Sequence, residues 1–305
     1  MSAPKKNRVM DAPLPPEERL RFTDLDTPTL AKRLGEALTS KLHGVSFSAY
    51  LDGQGPDLKT QLSAAQIRQR LEVIAPYTKW IRTFSCTDGN EQIPAIAKSL
   101  GLKTMVGAWV GDDAETNARE LAGLIQLCRA GHVDLAAVGN EVLLREDLDE
   151  AALLSAIAHV KSAVPGIEVG YVDAYYLFCE HPRLVEACDV LLINCYPFWE
   201  ECSLEYSIAY MKEMVRRVER VAGGKRIIIS ETGWPSDGTP VGAALPSERN
   251  ALLYALNTFA WTNEAGLELF SFSSFDEAWK AGPEGGCGPH WGFWDTEGRP
   301  KYGWR

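Results

Sequence analysis

The chain has 305 residues, 46% of them hydrophobic, which is enough for one large α/β domain or two small ones. Its 41 acidic residues outnumber 31 basic ones, and the net charge of −10 disfavours a nucleic-acid or anionic-membrane partner, because phosphate binding needs a basic surface. No apolar run is long enough to cross a bilayer, and the polar, proline-rich residues 1–18 lack the apolar segment of a signal peptide.

The cysteines and histidines show no ligand pattern. None of the seven cysteines forms a CxxC pair, which favours buried thiols in a reducing compartment over a disulfide framework. The five histidines lie far apart, so we predict no metal and no cofactor. As the sequence stands we expect a cytoplasmic monomer; if it is a trimmed piece, we expect a periplasmic or secreted protein.

Short apolar segments alternate with segments of helical periodicity along the chain. Residues 1–26 are predicted to be a disordered lead, and residues 27–305 one domain that begins with a helix at 27–42. The strands expected after it are 44–50, 80–85, 103–110, 133–141, 167–173, 190–194, 227–229 and 268–272, and the main helices are 63–74, 93–100, 113–129, 153–160, 204–222 and 246–264. This alternation predicts a single (β/α)8 TIM barrel with an extra N-terminal helix. An open doubly wound sheet is the alternative, disfavoured because no glycine-rich fingerprint follows the first strand.

Two glutamates occupy the same kind of position, where an apolar strand meets a polar loop. Glu231 follows the run Ile227–Ile229, and Glu141 follows the strand that begins at Val133. Their separation of 90 residues equals three strand–helix units of about thirty residues, which would bring both to one rim. Two carboxylates in one pocket suit the cleavage of a glycosidic bond, in which one protonates the leaving oxygen and the other attacks or stabilises the sugar cation. For Glu141, a plain helix entry capped by Asn140 is the alternative.

Several motifs, in order along the chain, match one known family. They are Val138–Glu141, Asn194–Pro197, Ser230–Ser236, Phe275–Lys280 and the closing His290–Phe293. Together they resemble the β-1,3-glucanases and β-1,3-glucanosyltransferases of glycoside hydrolase family seventeen, and the last motif resembles the bacterial branch. The resemblance covers about residues 42–302.

The resemblance implies a TIM barrel and a retaining mechanism. Glu141 matches the family's acid/base, and Glu231 matches its nucleophile. Asn140 matches the residue that holds the sugar 2-hydroxyl, and Tyr196 matches a tyrosine near the nucleophile. With Asn194 from the same motif, these residues form the expected centre of the site.

Other candidates lie around this centre. Glu277 and Lys280 match a polar pair beside the cleft, and a cation at Lys280 would hold the nucleophile ionised. Tyr50 and Arg82 end the first two strands; Tyr50 is a candidate sugar contact, and Arg82 fits equally a structural ion pair. The tryptophans in predicted rim loops, of which about half are expected to contact sugar, are Trp199, Trp234, Trp279 and Trp291.

These observations predict a retaining enzyme that acts on β-1,3-glucan or laminari-oligosaccharides, as a hydrolase or as a transglycosylase. A non-catalytic carbohydrate-binding barrel is a second hypothesis, disfavoured because both glutamates are present. A barrel enzyme with a phosphate ligand is a third, disfavoured because the loops after the seventh and eighth strands carry tryptophans and acids rather than glycine-rich phosphate sites.

Overall fold

The computed structural model describes residues 13–282 and 284–304. Eight parallel strands close into a barrel in sequence order. The strands are β1 Leu42–Ser46, β2 Thr78–Arg82, β3 Lys103–Ala108, β4 Leu135–Asn140, β5 Glu168–Ala174, β6 Val190–Asn194, β7 Arg226–Thr232 and β8 Glu268–Ser271. The α-helices are α1 Thr27–Thr39, α2 Ala64–Ile74, α3 Ile93–Ser99, α4 Ala114–Arg129, α5 Glu150–Ala163, α6 Tyr175–Glu180, α7 Pro182–Ala187, α8 Ser207–Glu219 and α9 Glu248–Ala265. Short 3-10 helices lie at Pro16–Glu18, Asn90–Gln92, Leu204–Tyr206, Ala278–Ala281, Gly285–His290 and Lys301–Gly303.

The inside of the barrel changes from apolar to polar along each strand. Leu192 and Ile228 belong to the small apolar cluster that fills the barrel, with Met105, Leu135 and Phe270. Side chains alternate along a strand, so the next position on the same side as Leu192 is Asn194. By the same alternation Ser230 follows Ile228, and the two polar side chains hydrogen-bond to each other at 2.9 Å. The inward-facing side chains at the C-terminal ends of these strands are therefore polar, and this end of the barrel is where barrel enzymes have their active sites.

The N-terminal helix packs on the outside of the barrel against α9. Asp26 caps it by accepting the amide of Thr29 at 2.9 Å, and Pro28 lies in its first turn. Leu30, Leu34 and Leu38 are spaced for one helical face, and all three are fully buried.

The residues just before this helix form hydrogen bonds with α9, within the segment 1–26 that the sequence analysis predicts to be a disordered lead. Within residues 13–26, the backbone of Arg21 exchanges hydrogen bonds with the side chain of Asn257, and Arg249 donates to the carbonyls of Thr23 and Leu25. These polar contacts with α9 explain why a segment with little hydrophobic periodicity is held in place. Residues 1–12 lie outside the described part of the chain.

Two short helices between β5 and β6 have no counterpart in the sequence prediction. Helices α6 and α7 have six residues each and meet at His181, which precedes a proline. Segments this short do not show a helical period. Within the described residues, no helix is both long and apolar enough to cross a membrane.

Candidate active site

Glu231 lies in β7, where the sheet register shifts beside β6. Both of its carboxylate oxygens accept hydrogen bonds, Oε1 from Arg82 and Oε2 from the hydroxyl of Tyr196 at 2.6 Å. The glutamate and the arginine are almost completely buried. A guanidinium and a phenol are both donors that form strong hydrogen bonds to a carboxylate.

Arg82 also contacts the other half of the site. Its second terminal nitrogen donates to Oδ1 of Asn140 at 2.6 Å, and its guanidinium lies 4.3 Å from the ring centre of Phe84. Arg82 is thus the cation beside Glu231, the place that the sequence analysis gave to Lys280. Lys280 instead forms a buried ion pair with Glu277 at 2.7 Å. The end of β2 is close to Glu231 only in the closed barrel, so the pairing is not visible along the chain.

Glu141 comes directly after β4 in an unusual backbone conformation. Its φ is +53°, and its amide donates to the carbonyl of Val172 at 2.8 Å. Gly139 just before it has a φ of +83°, and a Cβ there would lie 2.7 Å from Val142. A glycine is needed at that position. Helix α5 begins nine residues later, so Glu141 is not a helix entry.

The side chain of Glu141 has one hydrogen-bonding partner among the described residues, the amide of Asn194, whose Nδ2 donates to Oε1 at 2.8 Å. The Ser230 hydroxyl donates to Oδ1 of that amide and so orients it. Burial, together with the nearby charge of Glu231, raises the pKa of Glu141 to about 7, against the opposing effects of Asn194 and Arg82. A carboxyl with this pKa keeps a substantial protonated fraction near neutral pH.

A further carboxylate beside Glu141, the buried Asp173 in β5, has no counterpart in the sequence prediction. It accepts hydrogen bonds from the hydroxyl of Tyr171 and from the amide of Ala174. The same hydroxyl accepts the amide of Leu143 at 3.0 Å, so the pair supports the loop that follows Glu141. Burial raises the pKa of Asp173 to about 6. The alternating pattern of β5 marks its apolar residues and gives no signal for this carboxylate.

The predicted rim tryptophans divide into exposed and buried members. Trp199 is 38% exposed and lies against Trp291, with ring centres 5.5 Å apart. Trp234 is only 4% exposed, and its indole donates to the carbonyl of Leu245 at 2.9 Å. Trp291 is equally buried. Trp234 therefore anchors its own loop, and Trp199 presents more of its ring to solvent than Trp234 or Trp291 does.

A second group of predicted residues lies together across the ends of β1 and β8. The indole of Trp279 donates to Oε1 of Glu277 at 3.2 Å, and its ring meets Tyr50 edge-on at 6.4 Å. The hydroxyl of Tyr50 accepts a hydrogen bond from Asn90. Glu277 and Trp279 of the motif Phe275–Lys280 therefore lie together, next to Tyr50.

A closed parallel barrel with two carboxyl groups in opposite environments at the C-terminal ends of its strands is typical of the glycoside hydrolases. The sequence profile of the BtgE/BtgC glycoside hydrolase domain matches residues 44–292. The chain belongs to this family. Within the described residues, no group of three or more His, Cys, Asp or Glu is placed to hold a metal ion.

Individual relatives agree with this assignment. The chain is 27% identical over 257 residues to a glucan 1,3-beta-glucosidase of Candida albicans, covering 76% of this chain and 83% of that protein. It is 29% identical over 250 residues to a glucan 1,3-beta-glucosidase of Schizosaccharomyces pombe, covering 76% and 78%. Among solved structures, a glycoside hydrolase family 17 beta-1,3-glucanosyltransferase from Rhizomucor miehei superposes with a TM-score of 0.77 at 27% identity, covering 86% of this chain and 96% of that one.

Proposed function

We propose that the protein is a retaining glycoside hydrolase that cleaves β-1,3-glucan through a covalent glycosyl-enzyme. The observation that carries the proposal is the difference between two glutamates on one rim. Glu231 has its charge bound by Arg82 and Tyr196, whereas the pKa of Glu141 is raised to about 7. Glu231 is therefore suited to attack the anomeric carbon, and Glu141 is suited to donate a proton.

In the proposed reaction Glu141 donates its proton to the glycosidic oxygen while an oxygen of Glu231 forms a bond to the anomeric carbon. The bond between that carbon and the leaving sugar breaks, and the leaving sugar departs with the proton. Glu141, now a carboxylate, then removes a proton from water, whose oxygen displaces Glu231 and restores both groups. Asn140, held by Arg82 at 2.6 Å, is positioned to bind a hydroxyl of the sugar at the reacting carbon.

The choice of substrate rests on the relatives and on the surface of the site. Both curated relatives named above are glucan 1,3-beta-glucosidases, and the Rhizomucor enzyme has also been solved, as an active-site mutant, in complex with laminaritriose. A net charge of −10 is compatible with a neutral polymer. The exposed Trp199 and the half-buried Trp279 offer aromatic faces on which pyranose rings can stack.

The stereochemistry of the product tests this proposal. Laminari-oligosaccharides are incubated with the enzyme, and the first reducing sugar formed is followed by proton NMR before it mutarotates. Retention predicts that the β-anomer appears first, with the α-anomer growing later. Initial formation of the α-anomer would contradict the roles given to Glu141 and Glu231, because a single displacement inverts the anomeric carbon.

The same site also supports transglycosylation, in which a sugar hydroxyl replaces water as the acceptor. The exposed Trp199 favours this alternative, because a stacked acceptor sugar excludes water from the glycosyl-enzyme. Incubation with millimolar laminari-oligosaccharides should then give products longer than the starting sugar, and Trp199→Ala should shift the products toward shorter ones. Exclusively shorter products at high substrate concentration would leave hydrolysis as the function.

Three narrower assignments remain proposals. Placement in a bacterial branch rests on the motif His290–Phe293 alone, and the relatives named above are fungal. A monomeric state and a cytoplasmic location, or a periplasmic or secreted one for a longer natural chain, rest on the sequence expectations. Light scattering would decide the oligomeric state, and cell fractionation of the natural host would decide the location.

A further inference from the structure

Trp109 is an exposed aromatic residue on the catalytic rim that the proposed mechanism does not use. It directly follows β3 and is 39% exposed. Among the large exposed hydrophobic side chains of the described residues, only Trp109 and Trp199 are tryptophans. Trp199 follows β6 and Trp109 follows β3, so the strand of Glu141, β4, lies between them in the barrel. A bare indole at the mouth of a site is a signal for a ligand.

The backbone of Trp109 is fixed by a buried carboxylate. Glu120 in α4 accepts the amide of Trp109 at 3.0 Å and the amide of Cys86 at 2.7 Å. It also accepts the hydroxyls of Ser85 and Thr87, both at 2.6 Å. One fully buried glutamate thus joins the loops after β2 and β3, and the start of the Trp109 loop is held in position before any ligand arrives.

The indole ring of Trp109 stacks on the guanidinium of Arg145, which is fixed by an ion pair and by hydrogen bonds. The guanidinium of Arg145 lies 4.4 Å from the indole centre. It pairs with Asp147 at 2.6 Å, donates to the carbonyl of Val110 at 3.0 Å, and donates to the carbonyl of Asn140. One face of the indole is therefore covered by a fixed cation, and the guanidinium connects it to the residue that precedes the acid Glu141.

We infer that Trp109, supported by Arg145, is a binding platform for a glucosyl unit of the substrate beside the acid/base Glu141. The inference rests on the proposed function. A pyranose presents an apolar face of C–H groups that stacks on an aromatic ring, and a ring that is already fixed loses little conformational entropy when the sugar binds. Exposed Asp112 in the same loop can accept hydrogen bonds from the hydroxyls of that sugar. Trp109 therefore contributes to the enzyme's preference for the length of the oligosaccharide. It binds substrate and takes no part in the bond-breaking step.

The test compares Trp109→Ala, Trp109→Phe and wild type on laminari-oligosaccharides of increasing length and on an aryl β-laminaribioside. Trp109→Ala should lower kcat/KM for the long oligosaccharides by about tenfold, the loss of one stacked sugar, while Trp109→Phe recovers most of it. An equal loss on the aryl laminaribioside places the platform on the non-reducing side of the cleaved bond. A loss confined to the longer sugars with that substrate unaffected places it outside the two positions that the laminaribiosyl group occupies, on the leaving-group side or farther toward the non-reducing end.

Val221→Ala is the matched control, because Val221 is also 39% exposed but lies between α8 and β7, at the opposite end of the barrel. Binding of laminarihexaose, measured by calorimetry in the Glu231→Gln background, separates affinity from turnover. Wild-type turnover with an unchanged length dependence and affinity in Trp109→Ala would overturn the inference and leave the proposed function standing. Failure of wild type and Glu231→Gln alike to bind or turn over these sugars would overturn both.

Discussion

The surroundings of Glu231 and Glu141 differ although both are glutamates at the C-terminal ends of parallel strands. Around Glu231 the barrel places a guanidinium and a phenol, one on each carboxylate oxygen. Around Glu141 it places a single amide donor, on a backbone bent into the left-handed region. The first environment supplies charge and two donors, and the second supplies mainly burial.

The comparison of Glu231 with Glu141 shows how the same residue type can serve as a nucleophile in one environment and as a general acid in another. Burial penalises the charged form of Glu141. Glu231, by contrast, has a buried cation as a direct partner. Its charge in turn helps raise the pKa of Glu141. The two roles therefore depend on each other, and each can be tested by changing one environment at a time.

The largest effect is expected from removing the nucleophile. Glu231→Ala should lower kcat on laminari-oligosaccharides by roughly 10⁴-fold or more, because no glycosyl-enzyme can form. Azide should partly restore cleavage of an aryl glucoside and give an α-glycosyl azide. Near wild-type activity of this variant would refute the role of Glu231. Circular dichroism checks that the variant is folded.

A smaller and more selective effect is expected at the acid. Glu141→Ala should lower kcat/KM on natural sugars by about 10²–10⁴-fold, the range for general acid–base catalysis. Substrates with a good leaving group need no proton in the first step and should lose much less in glycosylation. A uniform loss on both kinds of substrate would show that Glu141 does not act as the acid.

The pH dependence of kcat/KM tests the role of Glu141 in the wild-type enzyme. Glu141 must be protonated to act as the acid, and its pKa is raised to about 7. In wild type, kcat/KM should therefore hold up to about pH 7 and fall as the pH rises through that value. In Glu141→Ala this basic limb should be absent for aryl glycosides, and its persistence would assign it to another group.

Much of this arrangement could be predicted from the sequence, because strand endings repeat a recognisable pattern. The buried run of β7 and the apolar β4 each stop at a polar dipeptide, which locates Glu231 and Glu141 on one rim. The segment 190–194 was predicted with the bounds that β6 has in the structure. These features are local, so the chain displays them without knowledge of the fold.

The partners of the two glutamates could not be predicted in the same way. The contact of Arg82 with Glu231 joins residues 149 positions apart, and no periodicity encodes it. The burial of Trp234 depends on packing against Phe198 and Tyr254, which come from other loops and helices. Trp109 was read only as part of a strand, because nothing along the chain distinguishes a core tryptophan from an exposed one.

The single donor to Glu141 gives a finer test of the comparison. The hydrogen bond from Asn194 stabilises the charged form and lowers the pKa of Glu141, so Asn194→Ala should raise that pKa further. The basic limb of kcat/KM should then move to higher pH. Ser230→Ala, which frees the amide to rotate, should move it the same way by less. An unchanged limb in Asn194→Ala would show that this amide does not control the acid.

The smallest effect on the two carboxylates is expected from a change remote from both. Leu34 is fully buried in α1, and Leu34→Ala should lower the free energy of unfolding by about 2–5 kcal/mol through the cavity it leaves. The exposed Lys32 of the same helix is the control, with a change of about 0.5 kcal/mol or less for Lys32→Ala. Both variants should keep the wild-type kcat/KM and pH profile below their melting temperatures. Substitution is cleaner than deletion of residues 1–42, because Leu42 already belongs to β1. A pH profile altered by Leu34→Ala would mean that the outer helix controls the site, and that the local contacts of Glu141 and Glu231 do not by themselves set their roles.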